Sequence, residues 1–132
     1  GVITEQLEEQ IYVTYLAGIF RGVRFGIEEA HGKGDVINLN ALLRYGGVER
    51  DPISNRYRIN GEHIRAAVAR ISRIYLEIEA RGSYSEAKAL LEGEGRPSGE
   101  MLSTLEKLQD VPVDIRPRYR TKDRILGEGK GQ

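Results

Sequence analysis

From Asn60 to Gly82, apolar residues recur at Ile64, Ala67, Val68, Ile71, Ile74, Tyr75 and Ile78. That three-four spacing gathers them into one stripe on a helix and would scatter them over both faces of a strand. The opposite side carries charge, so this is an amphipathic helix, expected from Gly61 to Arg81, that must lie against something apolar. The same chain supplies candidates. From Thr4, a residue suited to an N-cap, Leu7, Ile11, Tyr15, Leu16, Ile19, Phe20 and Val23 form a stripe wide enough to face a core, predicting one long helix to Arg24 that Gly22 and Gly26 weaken at its end. A third helical pattern runs from Ile27 through Val36, Ile37, Leu39, Leu42 and Leu43 to Arg44 and stops at Gly46-Gly47.

Shorter signals fill the rest. Asp51-Pro52-Ile53-Ser54-Asn55 is turn chemistry between short alternating segments, which predicts a small β-hairpin over Val48 to Ile59. Ser83-Tyr84-Ser85-Glu86 reads as a capping box before Ala87 to Leu91, and Pro97-Ser98 precedes a short helix carrying Met101, Leu102, Leu105 and Leu108. After Asp110, prolines at 112 and 117 favour an extended strand laid over the helices. The expected fold is mainly α: one helical domain over residues 1–126 with long amphipathic helices and one small hairpin, then a flexible polar tail over 127–132. No internal repeat is present.

Twenty basic and twenty acidic side chains cancel, leaving no net field to attract nucleic acid or an anionic membrane. The longest apolar run, Ile11 to Phe20, is too short to span a bilayer. With no cysteine there is neither a disulfide framework nor a thiolate metal site, which suits a reducing, cytoplasmic setting. The chain starts at Gly1 and its one methionine is Met101, with helical periodicity already under way at Ile3. It therefore reads as a piece of a longer chain, whose bare helix faces would favour self-association.

Chemistry concentrates in Tyr15 to Leu43, where His31 sits between the acidic pair Glu28-Glu29 and a glycine-rich step. Glu28, His31 and Asp35 share a face if helix continues there. One histidine with carboxylates is a poor zinc set, so no metal site is expected locally. His31 is either a hydrogen-bond donor or acid in a cleft, or a satisfied structural histidine. His63, beside Glu62 at a helix start, reads as an ordinary exposed residue.

Gly32-Lys33-Gly34 fails as a phosphate loop, because Gly26 is one position too early and Gly34 stands where the hydroxyl residue belongs. Arg24, Glu28 and Glu29 fall where a Nudix box has its arginine and acidic pair, but Phe25, His31, Leu16 and Gln10 occupy its other defining positions. Arg116, Arg118, Arg120, Lys122 and Arg124 alternate along the tail, with Tyr119 among them, so an extended strand would point them one way. Phosphate binding is one reading; pairing with carboxylates fits the neutral chain better.

The segment YLAGIFRGVRFGIEEAHGKGDVINLNALLRYGGV, followed by the Asn60 helix, AKALLEGEG and LEKLQDVPVDIRPRY, resembles the C-terminal part of the dipeptidyl peptidase III family of zinc metallopeptidases, particularly its bacterial members. Ala30-His31 and the helix from Ile37 to Gly46 carry the resemblance most specifically. It implies a mostly helical segment of a two-lobed exopeptidase acting on peptides. Members of that family hold zinc with an H-E-x-x-G-H helix and a following E-E-x-R-A-D segment, and neither occurs here. The resemblance therefore implies no cofactor in this chain, zinc in the intact enzyme, and the missing N-terminal and catalytic portions as partners. His31 matches a family histidine that binds substrate and stabilises the tetrahedral intermediate. Lys33, Arg116 and Arg118 are implied substrate contacts, while Asp35 stands where mammalian members have an arginine. The alternative from another class is a non-enzymatic helical interaction module.

Overall fold

The computed structural model describes residues 3–114. Among them the chain forms helices α1 (Glu5–Phe25), α2 (Ala30–Arg44), α3 (Ile64–Arg81), α4 (Tyr84–Glu94) and α5 (Gly99–Lys107), with strands β1 (Val48–Arg50) and β2 (Tyr57–Ile59) between α2 and α3. The mainly α class and the single hairpin are as the sequence predicts. No described helix is long and apolar enough to cross a membrane.

Helix α2 is the axis of the core. Val36, Leu39 and Leu42 are 0% exposed, and α2 touches α1, α3, α4 and β1. Leu16, Ile19 and Val23 of α1 and Ile64, Ala67 and Ile71 of α3 close over it, with Val48 and Met101 sealing the ends. Residues that turn apolar atoms away from water on three sides of one helix supply most of the driving force for such a fold.

The boundaries follow local chemistry. Thr4 caps α1, its Oγ1 accepting the Leu7 N–H at 3.2 Å. Residues 27–29 form a turn rather than the start of α2, because Gly26 at φ 151° breaks the helix with a backbone that only glycine takes readily. Residues 61–63 likewise precede α3: the Asn60 side chain accepts the N–H groups of Glu62 and His63 and holds them in a turn. Helix α3 ends in a Schellman motif at Gly82, φ 57°, with Ser83 N–H donating to Ile78 O and Gly82 N–H to Glu79 O. Ser83 then caps α4, but the capping box is half made, since the Glu86 carboxylate turns back to Arg81 at 2.9 Å instead of to the cap's own N–H.

In the hairpin, Val48 pairs with Ile59, Glu49 with Arg58 and Arg50 with Tyr57, antiparallel. Asp51 shapes the turn by accepting the Ile53 and Ser54 N–H groups at 2.8 and 2.9 Å, bonds that hold its carboxyl below the usual range. Tyr57 packs edge-on to Phe20 of α1 at 5.0 Å. Gly47 lies so close to α3 that a methyl there would sit 2.7 Å from Ala67 Cβ.

Past α5 the chain returns along the C-terminal end of α1. Arg24 donates to Val111 O, while Arg21 donates to Val113 O at 2.8 Å and pairs with Asp114 at 3.2 Å. The expected return strand beyond residue 114, with Arg116, Arg118 and the rest of the basic run, and the proposed tail over 127–132, lie outside the described residues.

One expectation is corrected. The stripe of α1 does not face the core throughout: Leu7 and Ile11 are 45% and 48% exposed, and Tyr15 also lies open. Only from Leu16 onward is the stripe fully buried; before it, Tyr12 is partly buried against the core and Glu8 pairs with Arg65 of α3, while Leu7, Ile11 and Tyr15 stay largely open.

Candidate functional site

Two glycines dock the end of α1 against the start of α2. A methyl added at Gly32 would overlap the carbonyl of Gly26, and one added at Gly22 would overlap the carboxylate of Asp35. The close approach fixes the turn that presents His31. Gly22 is thus a notch inside α1, not the weak end its residue type suggested.

His31 lies in the first turn of α2, after Glu29 as N-cap, and its side chain is exposed. Asp35, one turn later on the same face, is half-buried, and burial holds its carboxyl above the usual carboxylate range while the nearby His31 pulls it back down. Tyr15 from α1 and Tyr75 from α3 complete the group. Burial raises the Tyr15 hydroxyl, with Asp35 adding to the effect; Tyr75 is pushed up to about 12 by burial first, then by Tyr15 and Asp35. The Tyr75 hydroxyl donates to Asn38 Oδ1 at 2.8 Å, linking α3 to α2. From this cluster an apolar groove of about 340 Å³ continues between α2, α3 and α4, lined by Gly34, Ile37, Asn38, Tyr75, Ile78 and Leu90 among others.

The arrangement offers an exposed imidazole one helical turn from a half-buried carboxylate, on the helix whose next turns line a groove with a few polar groups. Glu28 falls in the turn before α2 rather than on the His31 face, and its carboxylate pairs with Lys33 at 3.0 Å. Lys33 is two residues from His31, a spacing that places them on different sides of a helix. No group of three histidine, cysteine, aspartate or glutamate side chains suited to a metal ion occurs among the described residues. His63 is the exposed N-cap of α3.

A larger groove, about 620 Å³, lies between the start of α1, β2 and α3 and is lined by Glu8, Glu9, Tyr12, Glu62 and Arg65. It holds no histidine. Its one guanidinium is already engaged by Glu8, at 2.6 Å. The sequence reading missed the parts played by Tyr15, Tyr75 and Asn38, because both tyrosines match apolar stripes. A tyrosine hydroxyl on an otherwise apolar face, which needs a polar partner when half-buried, was the available signal.

The chain is similar to a solved structure of dipeptidyl peptidase III from Caldithrix abyssi, at 42% identity and a TM-score of 0.85, over 90% of this chain and 23% of that one. A second, dipeptidyl-peptidase III from Corallococcus sp. strain EGB, matches at 35% identity and a TM-score of 0.81 over 92% of this chain and 22% of that one. A curated relative, Nudix hydrolase 3 of Arabidopsis thaliana, is 33% identical over 128 residues, which are 96% of this chain and 16% of that protein. That similarity is not carried by a Nudix box, since Gln10, Leu16, Phe25 and His31 replace its defining residues here. No protein-family model matches. The chain spans less than a quarter of the solved structures it resembles.

Proposed function

The chain is similar to part of bacterial dipeptidyl peptidase III in both sequence and fold, and from that premise we propose that it forms the helical wall of a dipeptidyl-peptidase-III-like exopeptidase cleft. The observation that carries the reading is that this similarity spans nine-tenths of the chain, with the His31 imidazole exposed rather than buried.

His31 would act on the substrate carbonyl. As a nucleophile attacks a peptide carbonyl, its oxygen gains negative charge, and an N–H donor already in place stabilises that charge more than it stabilises the substrate. An imidazole can supply the N–H whether neutral or protonated. The groove along α2, α3 and α4 offers apolar surface for a side chain of the peptide.

Zinc, which the resemblance implies, does not fit the donors present. His31 and Asp35 make two ligands at most, His63 lies elsewhere, and there is no cysteine. The division of labour proposed is therefore that the metal and the base that activates water belong to residues this sequence does not contain, and that the chain alone is inactive.

The reading frame that encodes this chain provides the test. Its full product is expected to carry an H-E-x-x-G-H helix and to release dipeptides from the amino ends of oligopeptides, whereas the 132-residue chain alone releases none. A full product without that motif and without peptidase activity would refute the proposal and favour a helical interaction module, for which the open face of α1 would be the docking surface.

A further inference from the structure

Helix α4 is set apart from the others by how it is held. Among the described residues, α1, α2, α3 and α5 each bury at least one side chain, and α4 buries none. Even α5, at 9 residues against the 11 of α4, places Met101 in the core at 1% exposure. The inner stripe of α4 is Ala87, Leu90 and Glu94, all only half-buried, while Tyr84 and Leu91 are 81% and 48% exposed. Leu90 is the large apolar residue of that stripe, and it seats loosely. It borders the groove of about 340 Å³ against α2 and α3, a second groove of about 350 Å³ against α3, and a void of about 30 Å³ toward Ile37 and Ile71. A side chain with empty space on several sides forgoes the dispersion contacts of a packed one.

Polar ties hold α4 instead. At its start Glu86 takes the Arg81 guanidinium at 2.9 Å, and at its end Glu94 pairs with Arg44. Both arginine side chains are more than half exposed, so these pairs add little. The firmer tie is Asn40 of α2, whose Nδ2 donates to Glu94 O at 2.7 Å and to Arg96 O at 3.1 Å. A helix this short is marginal by itself in water, so its order depends on those ties.

We propose that α4 is a lid on the α2–α3 groove: it opens as a unit, with Asn40 as its latch, while the core built by α1, α2 and α3 stays folded. Glycines bound the unit. Gly82, at φ 57°, ends α3, and Gly95 ends α4, so neither link carries helix on into a neighbour. Ile71 on one side and Met101 on the other keep the flanking chain anchored in the core. Opening uncovers Ile37, Tyr75 and Ile78, so the groove takes bulkier apolar groups than its closed volume allows. The inference does not depend on the peptidase reading, because opening needs no substrate.

Native-state hydrogen exchange of the 132-residue chain, followed by NMR, is the experiment. Amides from Lys88 to Leu91 should be protected about a hundredfold less than those of Leu39 and Leu42. Ile19→Val weakens a core contact that survives when only α4 opens; it should lower protection at Leu39 and Leu42 by about fivefold and leave α4 unchanged. Gly93→Ala, which meets nothing within 4 Å, should raise α4 protection by about threefold through helix propensity. Asn40→Ala should lower it by about fivefold. Protection in α4 equal to that in α2, or falling with it in Ile19→Val, would mean that α4 opens only when the whole chain unfolds and would overturn the lid. Protection in α4 unmoved by Asn40→Ala would overturn the latch.

Discussion

The two halves of α1 carry the same apolar period and meet different fates. From Leu16 to Val23 the stripe is buried against α2, sealed by glycines that let the backbones approach; from Leu7 to Tyr15 it stands in the open. Periodicity tells which side of a helix would be buried, and it is silent about whether anything is there to bury it. The buried half holds the fold together. The open half, with Ile3 and Val13 also exposed, is a surface of the kind that elsewhere marks contact with another segment or another copy.

That contrast can be broken most forcefully in the core. Leu39→Ala and Leu42→Ala, both at sites with no exposure, should cost about 2–5 kcal/mol each in urea unfolding, while Leu7→Ala and Ile11→Ala should fall within about 0.5 kcal/mol of wild type. Equal costs in the two halves would mean that the start of α1 is covered after all. Next come the glycines of the α1–α2 contact. Gly32→Ala must push the Gly26 carbonyl away and should lose about 1–3 kcal/mol, whereas Gly18→Ala, which meets nothing within 4 Å, should gain about 0.5–1 kcal/mol from helix propensity. A neutral Gly32→Ala would show that the tight turn presenting His31 is not a constraint. The smallest effect on stability belongs to the open face itself: Leu7→Ser with Ile11→Ser should leave the melting temperature nearly unchanged and reduce self-association in light scattering. A chain that is monomeric at high concentration before the change would remove the reason to treat that face as an interface.

How far the sequence could be read follows the same division. Helix α3 is legible from its period and from Gly82, and the hairpin from Asp51 to Asn55, because those signals are local and their chemistry is closed within a few residues. The start of α2 was not, since the apolar pattern begins at Ile27 while the backbone turns at Gly26 and resumes helix only at Ala30. His31 stood out as the single histidine of an acidic, glycine-rich run, and the similarity to dipeptidyl peptidase III was legible in the residues around it. Its surroundings were not legible. Tyr75 is more than forty positions away and looks like core, and Gly22 reads as a helix breaker until Asp35 is seen lodged against it. Contacts between helices depend on which stripes meet, and that depends on the whole fold.

The central claim is that His31 faces substrate in a peptidase cleft, and its most direct test is His31→Ala in the full product of the reading frame, assayed on a dipeptidyl substrate beside a melting curve. The account predicts turnover lowered by about a hundredfold with folding and metal content unchanged, the scale for losing one donor to a developing oxyanion. Undiminished turnover in a well-folded variant, or a melting temperature several degrees lower with turnover per folded molecule intact, would contradict it.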